Sequence, residues 1–264
     1  KPFSDGKAAN DEFQSANNGL QRGELVRDLL RQRVRVPPLP EDVLARPLVD
    51  EWIAKAIAPR HTVLAEAPSG YGKSHGVLSG LKSRRVADDE LRWISLTPQD
   101  NAPTRFLTLL SMALEMPEAF ESALQGGASF SDALAMVLVA RSRQADPGLQ
   151  VLVLDNLHSL SNPAVTPLVQ QLVKDLPANL CAVLVSRQGL PFETHGLELE
   201  NRFTRLGPSV FEFSRPETFE FFSRELAANQ LTSVAVDNLY DLTEGWATPL
   251  ALYRLEVQRC PRPP

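Results

Sequence analysis

The sequence predicts an α/β fold, a three-layer sandwich with a central parallel sheet, followed by a small all-helical domain. Up to about residue 213, apolar runs of strand length alternate with segments of helical periodicity, which is the pattern of strand–helix–strand units. Beyond Ser214 only helical patterns are visible. The chain therefore divides into a polar tail with a short basic helix (1–38), a sheet-containing domain (39–213) and a helical domain (214–264).

The composition is that of an ordinary globular protein. The chain has 264 residues, which is enough for one sizeable α/β core and a small accessory domain. The apolar fraction is 43%, and the formal net charge of −5 argues against non-specific binding of nucleic acid through the bulk surface. Two cysteines and the lack of a signal-peptide core or a membrane-length apolar run lead us to expect a cytoplasmic protein with no membrane contact.

The N-terminal segment is predicted to lie outside the main fold. Residues 1–20 are polar and lack apolar periodicity, so we expect a flexible tail. Residues 21–35 have helical periodicity with arginines around it, which is typical of a short amphipathic helix with a solvated face. A basic helix that contacts a partner is the alternative. The prolines within 36–40 should end this segment.

The remaining elements alternate in type. Strands are predicted from the apolar runs at 61–66, 91–96, 149–155 and 181–186, with a last short strand at 210–213. Helices are predicted between these strands and then at 215–226, 234–242 and 247–257. Strands that alternate with helices form a parallel sheet that is covered on both faces.

A glycine-containing loop follows the first strand and begins a helix. The loop reads Ala67-Pro68-Ser69-Gly70-Tyr71-Gly72-Lys73-Ser74. Glycines let successive N–H groups converge on phosphate oxygens, and the helix N-terminus adds free donors. Lys73 can reach the β- and γ-phosphates, and the Ser74 hydroxyl can ligate Mg²⁺. The sequence thus predicts a P-loop that binds ATP or ADP with Mg²⁺ through Ser69, Gly70, Tyr71, Gly72, Lys73 and Ser74. Ala67 stands where the strict pattern has glycine, and a plain strand–turn–helix with a surface lysine is the alternative.

A second strand ends in an acid. Asp155 directly follows the apolar run 151–154. In phosphate-binding folds such an acid holds the magnesium directly or through water, although it can also simply begin a turn. The upstream loop favours the metal role, with Asp155 as the catalytic group. Asn156 stands where many ATPases carry a second acid, and because an amide cannot take a proton we expect slow hydrolysis or a site used mainly for binding.

A third strand ends in the pair Ser186-Arg187. An arginine at this place can report a γ-phosphate, because its planar fork fits phosphate oxygens. A surface arginine at a strand exit is the alternative reading of Arg187.

Several segments, taken together, resemble one family. They are the loop 67–74, Trp93-Ile94-Ser95-Leu96 with Asp100-Asn101, Leu154-Asp155-Asn156-Leu157-His158, Leu184-Val185-Ser186-Arg187, Phe211-Glu212-Phe213-Ser214 with Phe221-Phe222, and Gly245-Trp246-Ala247-Thr248-Pro249-Leu250. In this order they are similar to the nucleotide-binding module of MalT-type transcription activators, the large ATP-dependent regulators of the LuxR class within the STAND group of signalling ATPases. The resemblance covers roughly residues 37–257.

The resemblance implies roles that the patterns alone do not. The strand before Arg187 would lie between the loop strand and the acid strand, which aims Arg187 at the γ-phosphate as a sensor. Pro249 matches a proline that packs on adenine, although Ala247 replaces the usual glycine before it. Arg46 matches an arginine that lies near the nucleotide. The segment after Ser214 would close over the nucleotide.

The resemblance also implies a signalling switch with weak ATP hydrolysis at most. ADP would stabilise a closed resting form, and ATP with a small-molecule or protein inducer would favour self-association. We expect inducer and DNA contacts only through domains that this sequence does not contain, the DNA contacts through a C-terminal one.

Two other classes of function stay open. One is a working P-loop enzyme, such as an AAA-like remodelling ATPase or a small-molecule kinase, against which Asn156 and the lack of an arginine-rich lid segment argue. The other is an interaction module that has lost nucleotide binding, against which the intact Lys73, Ser74 and Asp155 argue.

Overall fold

Five parallel strands form the centre of the fold. The computed structural model describes residues 30–39, 44–144 and 148–259. The predicted tail (1–20) and most of the predicted basic helix lie outside the described residues. The strands are β1 (Thr62–Glu66), β2 (Leu91–Ser95), β3 (Gln150–Asp155), β4 (Leu180–Ser186) and β5 (Phe203–Leu206).

The strand order is β2-β3-β4-β1-β5. All four pairings are parallel, with Ser95 beside Asp155 and Glu66 beside Ser186. The carboxyl ends of β1, β3 and β4 therefore meet at one edge of the sheet. Crossovers of this kind require helices on the faces of the sheet.

The described helices lie before, between and after the strands. Those of the sheet domain are α1 (Pro47–Ala56), α2 (Lys73–Ser83), α3 (Pro103–Ala113), α4 (Pro117–Gln125), α5 (Phe130–Ser142), α6 (Thr166–Lys174), α7 (His195–Leu199) and α8 (Pro208–Phe211). Those of the helical segment are α9 (Arg215–Phe221), α10 (Ser223–Ala227), α11 (Ser233–Thr243) and α12 (Ala247–Arg259).

The sheet has an apolar core on each face. Successive strand side chains point to opposite faces, so Leu152 and Leu154 join one buried cluster while Val151 and Val153 join the other. Every residue of β3 is buried. This burial on both sides explains why the strands read as continuous apolar runs, and it confirms the predicted three-layer arrangement.

The helical segment has its own small core, built around Phe222, Val236 and Leu250. Its first helix, α9, begins at a capping box, in which the Ser214 hydroxyl accepts from the Glu217 N–H and the Glu217 carboxylate accepts from the Ser214 N–H. This cluster is separate from the two that cover the faces of the sheet.

Three details of the predicted elements are wrong. In place of the strand expected at 210–213, the structure has the last two residues of α8 and the two residues that follow it, because Pro208 supplies the first turn of a helix. The fifth strand is Phe203–Leu206, in which the two end residues are buried and the two middle residues are partly or fully exposed, and it is too short to stand out in sequence. The single helix expected at 215–226 is divided at Phe222 into α9 and α10.

Asp100 ties the N-terminal segment to the sheet. Its carboxylate is fully buried and accepts from the Arg33 guanidinium, from the Thr97 backbone and hydroxyl groups, and from Arg105. Arg33 also donates to the Ser95 carbonyl at the end of β2, with a distance of 2.7 Å. Burial alone would raise the pKa of Asp100, but the bonds from Arg33 and Thr97 outweigh it and lower that pKa from 3.8 to about 2.

This shift makes Asp100 an acid-sensitive support of the fold. Since its folded-state pKa is depressed, its stabilisation is full above about pH 5 and is lost as the pH falls toward 2, a change of about 2 kcal/mol in unfolding free energy. We expect Asp100→Asn to remove this part of the pH dependence when unfolding is followed from pH 6 down to the acid limit.

Asp88→Asn is the matched control. Its carboxylate is exposed and pairs with Lys82 at the surface, where ion pairs contribute little. Equal pH profiles for Asp100→Asn and the wild-type protein would contradict the assignment.

Candidate functional site

The polar ends of three neighbouring strands and the glycine loop form one site. Asp155 ends β3, Ser186 ends β4, and the loop after Glu66 leads from β1 into α2. Since β4 lies between β1 and β3, Arg187 emerges between the loop strand and the acid strand. This is the strand placement that the family resemblance implied.

The loop has the backbone that its glycines permit. Gly70 and Gly72 have φ angles of 82° and 75°, in the left-handed region that other residues rarely adopt. Gly72 is the N-cap of α2, which begins at Lys73. The free N–H groups of the first turn of α2 therefore open beside Lys73 and Ser74.

Lys73, Ser74 and Asp155 are brought together across the sheet edge. Lys73 Nζ donates to the Pro68 carbonyl at 2.7 Å. Ser74 Oγ donates to Asp155 Oδ1 at 2.9 Å, and the same carboxylate oxygen accepts from the Asn156 backbone N–H. Asn156 adopts a left-handed conformation with φ 59°, which turns the chain sharply after the acid.

The site concentrates positive charge. Burial lowers the pKa of Lys73, and the positive charge of Arg187 lowers it further, against the attraction of Asp155. The pKa of Asp155 is raised, because burial outweighs the bonds from Ser74 and Asn156. Burial, Arg187 and Lys73 lower the pKa of His158, which favours its neutral form at neutral pH. Two cations thus face one carboxylate, an arrangement that suits an anionic ligand.

A cavity of about 410 Å³ opens at this point. It is lined by the predicted phosphate-site residues Ser69, Gly70, Gly72, Lys73 and Ser74, by His75, by Asp155, Asn156 and His158, by Val185, Ser186 and Arg187, and by Ala247, Thr248 and Ala251. Tyr71, also predicted, instead stacks on Trp246 with ring centroids 6.2 Å apart.

The helical segment holds the glycine loop directly. Trp246 Nε1 donates to the Ser69 carbonyl at 3.0 Å. The backbone N–H and the hydroxyl of Thr248 both donate to the Gly70 carbonyl, at 3.0 and 3.1 Å. In the motif at residues 245–250, the resemblance implies a nucleotide contact only for Pro249. Within the described chain, Pro249 does not line the cavity, whereas its neighbours Ala247, Thr248 and Ala251 do.

A second cavity, of about 300 Å³, continues from the first and shares Gly72, His75, Ala247 and Ala251 with it. Its other lining residues are Leu44, Arg46, Asp50, Gly76, Ser79, Phe213 and Phe221. Arg46, predicted to lie near the nucleotide, lines this cavity. Its guanidinium lies 4.8 Å from the centre of the Phe213 ring.

The donor set at the first cavity fits Mg²⁺. Ser74 and Asp155 offer a hydroxyl and a carboxylate within hydrogen-bond distance of each other. Among the described residues there is no group of three His, Cys, Asp or Glu side chains that could enclose a metal. Mg²⁺ characteristically takes one or two protein oxygens and completes its shell with phosphate oxygens and water, so a hydroxyl and one acid suffice.

The fold and this edge of the sheet define a class: the chain has the fold of P-loop ATPases. The ORC1 protein of Aeropyrum pernix, solved in complex with DNA, superimposes with a TM-score of 0.52 and 16% identity, covering 84% of this chain and 61% of that one. A Walker-type ATPase of Pyrococcus abyssi gives 0.53 and 13%, covering 85% of this chain and 70% of that one.

In sequence the chain is similar to the HTH-type transcriptional regulator MalT. It is 30% identical over 212 residues to the protein of Yersinia enterocolitica and 26% identical over 225 residues to that of Vibrio cholerae. These matches cover 77% and 82% of this chain but 22% and 24% of the relatives, so the chain spans about a quarter of their length. The predicted resemblance to MalT-type regulators is confirmed. No protein-family model matches the chain.

None of the helices in the described ranges is long and apolar enough to cross a membrane.

The contact between the loop and α12 can be tested with two glycines. A Cβ atom on Gly70 would lie 2.8 Å from Thr248 Cβ and nearer still to its hydroxyl, whereas one on Gly72 meets nothing within 4 Å. Both substitutions strain a left-handed backbone, at about 1 kcal/mol. We therefore expect Gly70→Ala to lower the thermal unfolding midpoint by several degrees more than Gly72→Ala, since each kcal/mol shifts it by about 2–4 °C. Equal shifts would mean that the loop and α12 do not touch.

Proposed function

We propose that this chain binds ATP or ADP with Mg²⁺ and acts as the nucleotide-controlled switch of a transcription regulator. The observation that carries the proposal is the Ser74–Asp155 hydrogen bond beside Lys73, at the mouth of a cavity edged by free helix N–H groups. An anion at this place would neutralise the charges of Lys73 and Arg187. It would also accept hydrogen bonds from the N–H groups of the loop and of the first turn of α2.

The phosphates would occupy the first cavity. Ser69, Gly70, Tyr71 and Gly72 would present backbone donors, and Lys73 would move from the Pro68 carbonyl to the β- and γ-phosphates. Ser74 and Asp155 would hold Mg²⁺, which when bound neutralises phosphate charge and polarises the γ-phosphate. Arg187, which also lines this cavity, would contact the γ-phosphate and so distinguish ATP from ADP.

The base and ribose would extend into the second cavity. Its walls are mainly apolar, with Leu44, Phe213 and Phe221 among them, and its volume is sufficient for a purine. Arg46 lines this cavity and is an adenine-side residue of the proposal. Among the described residues Pro249 lines neither cavity, so it would contact adenine only after a shift of α12. Arg46 would act as part of the wall, since its guanidinium is bound to protein carbonyls.

The switch would follow from the way the helical segment holds the loop. Trp246 and Thr248 bind loop carbonyls, so a nucleotide that rearranges the loop also changes the position of α12. We propose that ADP favours the closed form, that ATP with an inducer favours self-association, and that the protein works in the cytoplasm as a LuxR-class signalling ATPase. Hydrolysis would be slow, because Asn156 cannot act as a base. Inducer and DNA would be bound by other parts of a longer protein.

An equilibrium titration with fluorescent ADP and ATP, with and without Mg²⁺, tests the binding step. We expect Kd values near micromolar, about −8 kcal/mol, for the intact chain. Lys73→Ala should weaken binding by at least about tenfold, because its charge is removed from the phosphates. Equal affinity of Lys73→Ala and the intact chain would contradict the proposal.

Asp155→Asn separates the metal role from folding. Because burial raises the pKa of Asp155, its ionised form is disfavoured in the fold, and a neutral amide that accepts the same bonds should leave the unfolding midpoint equal or higher. The same variant should lose the gain in affinity that Mg²⁺ gives the wild-type chain. A retained Mg²⁺ effect would place the metal elsewhere.

A further inference from the structure

The second cavity is lined by one acid, Asp50, to which the proposed function gives no role. Asp50 lies in the first turn of α1, where its backbone N–H donates to the Arg46 carbonyl at 3.0 Å. The neighbouring positions on α1, Val49 and Ile53, are buried against the core, and Gly76 and Gly80 of α2 pack against them. The packing of α1 on α2 thereby places Asp50 in the cavity wall.

One oxygen of this carboxylate has no partner. Asp50 Oδ1 is shielded from solvent and forms no hydrogen bond with any described residue. A buried carboxylate oxygen without a donor is costly, because it has lost its water and gained nothing in exchange. Asp50 lines the cavity through the rest of its side chain, so a rotation of the carboxylate about its Cβ–Cγ bond would turn this orphaned acceptor toward a donor on a ligand.

Arg46 does not neutralise Asp50, although it lines the same cavity. Its Nε donates to Glu217 at 3.0 Å, and its two terminal nitrogens donate to the carbonyls of Phe211 and Glu212. The ion pair of Arg46 is thus with Glu217, on α9. Among the described residues no ion pair is formed by Asp50, although its side chain lines the cavity.

We propose that Asp50 selects the nucleotide base by accepting a hydrogen bond from the exocyclic amine of adenine. Among the other lining residues, Phe213, Phe221 and Ala251 are apolar and contact any purine ring equally well. The cavity is also lined by His75 and Ser79, which can each donate or accept a hydrogen bond and so do not by themselves exclude either base. A base that carries a carbonyl at the same ring position, such as hypoxanthine, would set two acceptors against each other. This inference rests on the proposed nucleotide site and assigns the base preference of that site.

The test compares ADP with inosine diphosphate, in which a carbonyl replaces the amine. Phosphates and ribose are identical, so the ratio of the two Kd values isolates the base. We expect the wild-type chain to prefer ADP by about tenfold or more, the factor that corresponds to 1.4 kcal/mol. Asp50→Ala should weaken ADP binding and bring the ratio close to one.

Two further variants complete the experiment. Asp50→Asn keeps the size of the side chain and offers both an acceptor and a donor, so it should bind the two nucleotides almost equally while preserving the fold. Glu51→Gln is the matched control, because Glu51 is the next residue of α1 but points to solvent and pairs with Lys55. It should keep the wild-type ratio.

A preference for ADP that persists in both Asp50 variants, or a wild-type ratio near one, would overturn the role of Asp50 and leave the nucleotide site intact. A wild-type chain that binds neither nucleotide would overturn the proposed function and this inference with it.

Discussion

The placement of β4 between β1 and β3 is the constraint on which the site depends. Because all three strands are parallel, their carboxyl ends lie at the same edge of the sheet. The residues that follow these strands are therefore brought close together. Lys73 and Ser74 arrive from β1, Asp155 from β3 and Arg187 from β4. The hydrogen bond from Ser74 to Asp155, between residues 81 positions apart in the chain, records this convergence.

The charges of Lys73, Asp155 and Arg187 destabilise the folded chain when no ligand is bound. Lys73 and Asp155 are 8% and 7% exposed. Burial lowers the pKa of Lys73 and raises that of Asp155, so in both residues it favours the neutral form. The positive charge of Arg187 also lowers the pKa of Lys73, and the charges of Arg187 and Lys73 together lower the pKa of His158. An anion with a divalent cation would relieve both effects, so the same electrostatics that weaken the fold favour a magnesium-bound phosphate.

The sequence predicted the parts of this arrangement that depend on neighbours in the chain. Buried strands show as apolar runs, and the loop 67–74 needs glycines in left-handed conformations wherever it occurs. The sequence did not predict the roles of Trp246 and Thr248. The hydrogen bond from Trp246 to Ser69, for example, joins residues 177 positions apart, which no local pattern reveals. The strand β5 was missed for a related reason: its pairing with β1 defines it, and the segment itself shows only two buried residues.

The central claim is that the glycine loop and α12 enclose a single nucleotide site. Hydrogen–deuterium exchange of the chain with and without ADP and Mg²⁺ tests it most directly, because the method reports each segment separately. The account predicts slower exchange both in the loop, at residues 69–75, and at residues 245–251, which comprise the two residues before α12 and its first turn. Slower exchange in the loop with none in α12 would contradict it, since nucleotide would then bind the sheet domain without involving the helical segment.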